Sequence, residues 1–287
     1  MTPLALRRAA HAAVGAVLPG VGGRWATDVF SRTRPLGGRP DNVLPLGARR
    51  FAVEGNPDVR GGYLWGDDDG PTALLVHGWG ADSSSMYSLI APLRQLGYRV
   101  AAFDAPAHGV HEGARATMTQ YTTAVGAVLD SLGGARVVIA HSLGSIAAVG
   151  AVAARPARSV DCLALVAPTC TLTAVLEGWA RDELRLSRPV VDRVYAELHR
   201  RNGVPVGHWD VVGLGRGLDC PVLALHDPDD PVVPFCEAEA IAAGLPGVRL
   251  EKAPGRGHMG ILMSAEAKSA VSAFVAEHGT RTGGTIR

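Results

Sequence analysis

The chain has 287 residues, a formal net charge of +1, and basic residues that occur in pairs at most. Hydrophobic residues make up 47% and charged residues 19% of the sequence, which excludes a disordered chain. The near-neutral charge argues against a protein that binds nucleic acid or a charged membrane surface. Because no run of 18 apolar residues occurs, we expect no membrane span.

The N-terminal segment, residues 1–48, allows two interpretations. Arg7 and Arg8, followed by an apolar stretch, are typical of a short secretory signal, but His11 interrupts the stretch and no clear cleavage site follows. We therefore expect an amphipathic helix that ends at Pro19, followed by a loop rich in glycine, proline and arginine.

The cysteine pattern predicts reduced thiols. None of the four cysteines forms a C-x-x-C pair, so the spacing typical of a zinc site is absent. The four are Cys162, Cys170, Cys220 and Cys236. We expect a cytoplasmic protein, monomeric or homodimeric, that holds no metal and no cofactor.

Strand-like and helix-like stretches alternate through most of the chain. Apolar, strand-like runs cover residues 49–54, 60–65, 72–77, 98–104, 135–140, 160–166, 220–226 and 248–252. The main helix-like stretches between them are 83–96, 117–132, 142–154 and 235–243, and a last one is 261–277. This alternation predicts an α/β fold, with a mostly parallel sheet between helices and a short antiparallel pair at its start.

Residues 170–217 interrupt the alternation. Their helical part, 173–198, carries charges on one side and apolar residues on the other. We predict a small helical cap over the strand ends, and the alternative is a pair of surface helices. The core then comprises residues 49–169 and 218–277, and we expect residues 278–287 to form a disordered tail.

One strand runs into Ala140-His141-Ser142-Leu143-Gly144. The nucleophile-elbow pattern G-x-S-x-G places a serine on a sharp turn between a strand and a helix. It needs small residues on both sides of the serine, and Ala140 meets that need if its backbone angles are ordinary. Ser142 is therefore a candidate nucleophile, and the alternative is a serine that caps a helix.

A serine nucleophile needs a base and an acid to orient that base. His258 lies between glycines after the last strand, and an aspartate cluster follows the preceding strand. The order Ser, Asp, His is the one found in α/β-hydrolases. We choose Asp230 as the acid, with Asp227 as the alternative.

The loop after the strand 72–77 is a candidate oxyanion hole. Gly78 lets the backbone approach a substrate, so we assign one donor to the Trp79 N–H and the other to the Leu143 N–H. Nearby polar residues are expected to support the site. Asp104 is predicted to organise loop amides, and His77 and His141 are predicted to pack or form hydrogen bonds. A metal held by His77, Asp104 and His108 has no supporting ligand spacing.

The chain resembles the α/β-hydrolase superfamily from about residue 49 to residue 276. The matching segments are residues 77–80, 103–109, 140–144, 230–234 and 257–258. The chain looks most like the bacterial esterase- or lysophospholipase-like branch. The resemblance implies an eight-stranded, mostly parallel sheet with a helical cap, and the site roles given above. Ala140 and Ala107 depart from the family pattern, because each stands where a glycine is usual.

We therefore expect a serine hydrolase that cleaves a small-molecule ester of a small or medium acyl group. Trp79, Trp179 and Trp209 are expected to line an apolar pocket. A different reaction of the same triad, such as peroxidation or C–C hydrolysis, stays open. The alternative from another class is a non-catalytic member of this fold that binds or regulates.

Overall fold

The computed structural model describes residues 3–33, 43–67, 69–157 and 159–279. One eight-stranded sheet lies between helices on both faces, which confirms the predicted α/β class. Within these residues, no helix combines the length and the apolar character needed to cross a membrane.

The sheet is mostly parallel. Its strands are β1 (Arg49–Ala52), β2 (Gly61–Trp65), β3 (Thr72–Val76), β4 (Arg99–Ala102), β5 (Val137–His141), β6 (Cys162–Val166), β7 (Val222–His226) and β8 (Val248–Lys252). They lie in the order β1-β2-β4-β3-β5-β6-β7-β8. β2 is antiparallel to both neighbours, whereas every pair from β4 to β8 is parallel. The carboxyl ends of the parallel strands therefore lie along one edge.

Helices connect these strands and cover the sheet. They are α1 (Pro3–Val17), α2 (Pro19–Phe30), α3 (Ile90–Gln95), α4 (Met118–Ser131), α5 (Gly144–Ala153), α6 (Leu172–Trp179), α7 (Arg188–Asn202), α8 (Val211–Leu214), α9 (Cys236–Gly244), α10 (Gly260–Met263) and α11 (Ala265–His278). A 3₁₀ helix, Ser83–Leu89, precedes α3. The single helix predicted for 261–277 is divided, because the Ser264 hydroxyl caps a new helix by accepting the Ala267 N–H at 3.0 Å.

The central strands β3, β5, β6 and β7 are buried along their whole length, as expected for parallel strands covered on both faces. Alternate residues point to opposite faces. Leu74 and Val138 join the core beneath α4 and α5, whereas Leu75 and Ile139 join the core beneath α3 and α11. These two apolar layers hold the sheet rigid, so the positions of the strand ends are fixed.

The N-terminal segment differs from the prediction. Pro19 does not end the helical region but begins α2, because proline lacks only an N–H that the first turn leaves unpaired. Glycines let both N-terminal helices approach α7 closely. A Cβ on Gly23 would lie 2.3 Å from the Arg193 Cβ, and one on Gly15 would lie 2.6 Å from the Val190 Cγ2. The predicted loop falls largely on residues 34–42, which lie outside the described residues.

Residues 170–217 contain the helices α6, α7 and α8, and the helix predicted for 173–198 is interrupted. A π-helical turn, Ala180–Leu184, follows α6, and Arg185 has a φ of 54°, in the left-handed region. α2 packs on α7, so the N-terminal helices and the cap form one structural unit.

The predicted C-terminal tail begins too early, because His278 ends α11 and the Gly279 carbonyl accepts a hydrogen bond from the Tyr98 hydroxyl at 2.7 Å. Residues 280–287 lie outside the described residues. All four cysteines are free thiols.

Candidate active site

Ser142 lies directly after β5, on a tight turn into α5. Its φ of 53° is in the left-handed region, a strained conformation that lifts the side chain above the sheet edge. The turn demands glycine at 144, because a Cβ there would lie 2.3 Å from the backbone oxygen of His77. Ala140 lies within β5, fully buried and without a positive φ, so alanine meets the requirement at that position.

The structure brings Ser142, His258 and Asp230 together in a line. His258 Nε2 lies 3.0 Å from the Ser142 hydroxyl oxygen, and His258 Nδ1 lies 2.8 Å from Asp230 Oδ2. Because a carboxylate only accepts, Nδ1 carries the proton, and Nε2 is left to accept the Ser142 O–H. The serine is thus hydrogen-bonded to a base that an acid orients.

Asp230 is buried and held by its own turn. Its Oδ1 accepts the backbone N–H groups of Val232 at 2.7 Å and Val233 at 3.0 Å. Its Oδ2 faces His258 and also lies 3.5 Å from His226 Nε2. His226 donates to the Val233 carbonyl at 2.9 Å, so it supports the same turn from below. The carboxylate therefore has one orientation, with Oδ2 directed at the imidazole.

Asp227, the alternative acid, has a different role. Its carboxylate accepts four backbone N–H groups, which belong to Asp229, Gly255, Arg256 and Gly257. Burial raises the pKa of Asp227, but these hydrogen bonds outweigh burial and hold the pKa below its ordinary value. Asp227 thus fastens the loop that carries His258, and it makes no contact of its own with the imidazole.

The loop after β3 carries the Trp79 N–H, and the turn after β5 carries the Leu143 N–H next to Ser142. Within the described part of the chain, neither the Trp79 nor the Leu143 backbone N–H has a protein acceptor. Gly78 allows the approach, because a Cβ there would lie 2.9 Å from His141 Nδ1 and 3.1 Å from the Ser142 Cβ. The Trp79 indole donates to the Arg32 carbonyl at 2.7 Å, which ties this loop to the N-terminal segment.

Two buried histidines hold this loop on either side of Trp79. His77 Nδ1 donates to the Gly78 carbonyl at 2.7 Å, and its Nε2 accepts the Ala105 N–H at 2.9 Å. Burial lowers the pKa of His77, so the ring is neutral. His108 Nε2 accepts the Gly80 N–H at 3.0 Å, a role that the sequence alone did not reveal.

Asp104 organises the next loop, as its position after β4 suggested. Its two oxygens accept the N–H groups of Ser83 at 2.8 Å and Val110 at 2.9 Å. Burial raises the pKa of Asp104, but these two bonds outweigh it and leave the pKa below its ordinary value. Ala107 in this loop has a φ of 60°, where glycine is favoured, so this departure from the family pattern costs backbone strain.

His141 lies beneath the His258 loop. Its Nε2 lies 3.0 Å from the backbone oxygen of His258, and the two rings are 4.7 Å apart. Burial, and then the neighbouring His258, lower the pKa of His141 to about 3. The ring is therefore neutral and donates its Nε2–H to the His258 carbonyl, while its buried Nδ1 has no partner in the described residues.

A cleft of about 870 Å³ opens above Ser142. The cap supplies its far wall, and the carboxylates of Glu177, Asp182, Glu183 and Glu237 line it together with Trp179. Trp79 also lines the cleft. The prediction that Trp209 lines an apolar pocket is wrong. Trp209 is 4% exposed and packs in the core beneath the cap.

The described residues contain no group of three or more His, Cys, Asp or Glu side chains arranged to hold a metal ion. His77, Asp104 and His108 are occupied by loop N–H and carbonyl groups instead. These three side chains therefore hold the loops around the cleft.

Comparisons with known proteins identify the family of the chain. The sequence model of the alpha/beta hydrolase family matches residues 73–271. A serine hydrolase-like protein of Danio rerio is 33% identical over 88 residues, which are 29% of this chain and 27% of that protein. The chain thus matches about a quarter of the length of this relative.

Solved structures share the fold. An esterase of Pyrococcus furiosus has a TM-score of 0.62 and 18% identity, covering 84% of this chain and 97% of that one. The naproxen esterase (carboxylesterase NP) of Bacillus subtilis has a TM-score of 0.59 and 19% identity, covering 80% and 92%. Mouse alpha/beta hydrolase domain-containing protein 10 has a TM-score of 0.59 and 16% identity, covering 80% and 97%.

Proposed function

The chain belongs to the α/β-hydrolase family, and from that premise we propose that it is a serine hydrolase that cleaves carboxylic esters. The observation that carries the proposal is the hydrogen-bonded line from the Ser142 hydroxyl through His258 to Asp230. Two esterases among the structural neighbours support the choice of ester over other substrates.

Acylation starts from the neutral imidazole. His258 Nε2 takes the proton of Ser142 as the hydroxyl oxygen bonds to the ester carbonyl carbon, and the Trp79 and Leu143 N–H groups bind the oxygen that becomes negative. Asp230 stabilises the imidazolium that forms. The C–O bond to the alcohol then breaks, and the alcohol leaves with the proton from His258. An acyl group remains on Ser142.

Deacylation repeats these steps with water. His258 takes a proton from the water, whose oxygen bonds to the acyl carbon. The bond to Ser142 breaks, the serine regains its proton from His258, and a carboxylic acid is released. Each proton is returned, so the chemistry needs no group beyond the side chains, the backbone donors and water.

Hydrolysis of p-nitrophenyl acetate and p-nitrophenyl butyrate by purified protein tests this proposal. We expect turnover by the wild type and a loss of at least about 10³-fold in Ser142→Ala and in His258→Ala. Ser145→Ala is the matched control, because Ser145 is a buried serine in the first turn of α5 whose hydroxyl has no hydrogen-bond partner in the described residues. No turnover by a folded wild type, or unchanged turnover in Ser142→Ala, would contradict the proposal.

A further inference from the structure

A second cavity, which we call the side pocket, adjoins the cleft. It has a volume of about 190 Å³. The side pocket and the cleft share four lining residues, which are Trp79, Leu143, Val175 and Trp179. The two cavities are therefore adjacent, and one of the residues between them, Leu143, directly follows Ser142.

Two of these shared residues are the proposed oxyanion donors. Trp79 and Leu143 bind the ester oxygen through their backbone N–H groups, and both also line the side pocket. A carbonyl held by those N–H groups has its acyl substituent next to the opening of the side pocket. We propose, on the basis of the proposed function, that the side pocket binds the acyl chain of the substrate and selects linear chains of medium length.

The lining of the side pocket suits an unbranched hydrocarbon chain. Its inner wall is formed by apolar side chains, among them Phe30, Met118, Leu172 and Leu198. Asn202 also contributes, but its amide donates to the Leu198 carbonyl at 2.8 Å and its oxygen accepts the Thr119 N–H at 3.2 Å. The amide is thus committed to the protein, and an alkyl group loses nothing by contacting it.

The size of the pocket sets the preferred length. An apolar cavity of about 150 Å³ holds a benzene molecule, which has six carbon atoms. A volume of about 190 Å³ therefore holds roughly eight carbon atoms at the same density. We expect octanoate esters to be close to the optimum, because shorter chains leave the pocket partly empty and longer ones protrude.

The cleft is the more polar of the two cavities, which orients the substrate. Asp182, Glu183 and Glu237 line it, and Arg181 is already paired with Asp182 at 2.7 Å. Glu237 accepts the backbone N–H groups of Cys170 at 2.8 Å and Thr171 at 3.2 Å, so its carboxyl group is held in place. An alkyl chain gains by leaving these carboxylates for the apolar side pocket, so the polar alcohol part of the ester occupies the cleft.

The N-terminal helix α2 closes the side pocket. Phe30 is the last residue of α2, and its ring lies 5.0 Å from the ring of Trp179. Ala116 also lines the side pocket, and it donates its N–H to the Ser31 carbonyl at 3.1 Å. Phe30 precedes the segment that matches the family, residues 73–271, so this wall is a property of the present chain.

Chain-length profiles test the inference. We expect wild-type kcat/KM for p-nitrophenyl esters to rise about tenfold for every two added methylenes up to octanoate, and then to level off or fall. Ala116→Met fills the side pocket from a residue outside the cleft. It is expected to lower kcat/KM for octanoate at least tenfold and to leave acetate within about twofold.

Two further variants complete the series. Phe30→Ala opens the pocket and is expected to shift the optimum to a longer ester. Val21→Ala is the matched control, because Val21 lies on α2 but is 42% exposed and does not line the pocket. A wild-type profile that does not rise beyond butyrate would overturn the inference. An equal fall in kcat/KM for all esters in Ala116→Met would also overturn the inference.

Ligand binding separates this inference from the proposed function. ω-Bromooctanol quenches tryptophan on contact, and Trp79 and Trp179 line the side pocket. We expect saturable quenching in wild type and in Ser142→Ala, with binding at least tenfold weaker in Ala116→Met. Ala116→Val, with a smaller added volume, is expected to weaken binding less and guards against misfolding of the methionine variant.

Quenching with equal affinity in wild type and both Ala116 variants would overturn the side-pocket assignment. Saturable, Ala116-dependent quenching without any ester turnover would uphold the pocket as an alkyl-binding site and overturn the proposed hydrolase function. The two failures are therefore distinguishable.

Discussion

His141 and His258 are joined by a hydrogen bond from the His141 Nε2–H to the His258 backbone oxygen, with 3.0 Å between the two atoms. The residue before the proposed nucleophile therefore holds the loop that carries the proposed base. Asp227 fastens the same loop from its other side through three backbone N–H groups. These contacts hold the backbone of the loop, and the bond from His258 Nδ1 to Asp230 orients the ring itself.

His141→Phe is expected to lower kcat for p-nitrophenyl butyrate by about fivefold to tenfold, because one loop hydrogen bond of about 1 kcal/mol is lost. KM is expected to change little, since His141 acts on His258 and not on the ester. His141→Gln can place an amide N–H near the position of Nε2 and should recover most of the rate. Equal kcat in the phenylalanine variant and wild type would refute this role.

Acid is expected to destabilise the protein through its buried histidines. The pKa of His141 is lowered from 6.5 to about 3, and burial also lowers the pKa values of His77 and His226. Between the ordinary and the lowered pKa, the unfolded chain binds protons that the folded chain does not. The free energy of unfolding therefore falls as the pH falls from about 6.5.

Urea titrations at several pH values measure this effect. His141→Gln removes one titrating group. The free energy of unfolding of this variant is expected to depend less steeply on pH between about pH 6.5 and pH 4. Asp104 and Asp227 have lowered pKa values and so contribute to acid unfolding only below about their ordinary 3.8. Identical slopes for the variant and the wild type would show that His141 ionises as freely in the folded protein as in the unfolded chain.

Substitutions of the two aspartates are expected to have different effects. One should lower kcat, and the other should lower the stability of the folded protein. Asp230→Asn removes the charge beside the His258 Nδ1–H and should lower kcat by on the order of 10⁴-fold, with a native-like melting temperature. Asp227→Asn weakens the bonds to the loop 255–257 and should cost about 1–3 kcal/mol of folding free energy. A larger loss of kcat in Asp227→Asn would reverse the two assignments.

The two small residues around the turn are expected to respond differently. Gly144→Ala places a Cβ 2.3 Å from the His77 backbone oxygen and should cost about 3 kcal/mol or more. Ala140→Gly changes a strand residue with ordinary backbone angles and should cost about 1 kcal/mol. Denaturant unfolding measures both, and a tolerated Gly144→Ala would mean that the turn can relax away from His77.

Most of the sheet could be predicted because its strands are short apolar runs between turn residues. Every predicted strand is present, with ends displaced by at most two residues. The order Ser142, Asp230, His258 was also readable, since the family pattern places each residue after a different strand. The sequence alone could not decide between Asp230 and Asp227, because both follow β7 and only the fold shows which carboxylate faces the imidazole.

The second N-terminal helix, α2, was the main element that local patterns could not predict. Pro19 and the glycines after it are typical of a loop, yet they form α2 because glycine lets this helix pack closely on α7. The tertiary contact overrides local propensity here. For the same reason, the sequence did not indicate that Phe30 lines the side pocket. The role of His108 could not be predicted either, because it depends on how closely its loop approaches the loop that contains Gly80.

The central claim is that Ser142 is an activated nucleophile, and a covalent adduct tests it most directly. The protein is treated with a fluorophosphonate, digested, and mapped by mass spectrometry. We expect one adduct, on the peptide that contains Ser142, absent in Ser142→Ala and formed at least about tenfold more slowly in Asp230→Asn. An adduct on another residue, or labelling that persists in Ser142→Ala, would show that Ser142 is not the activated nucleophile.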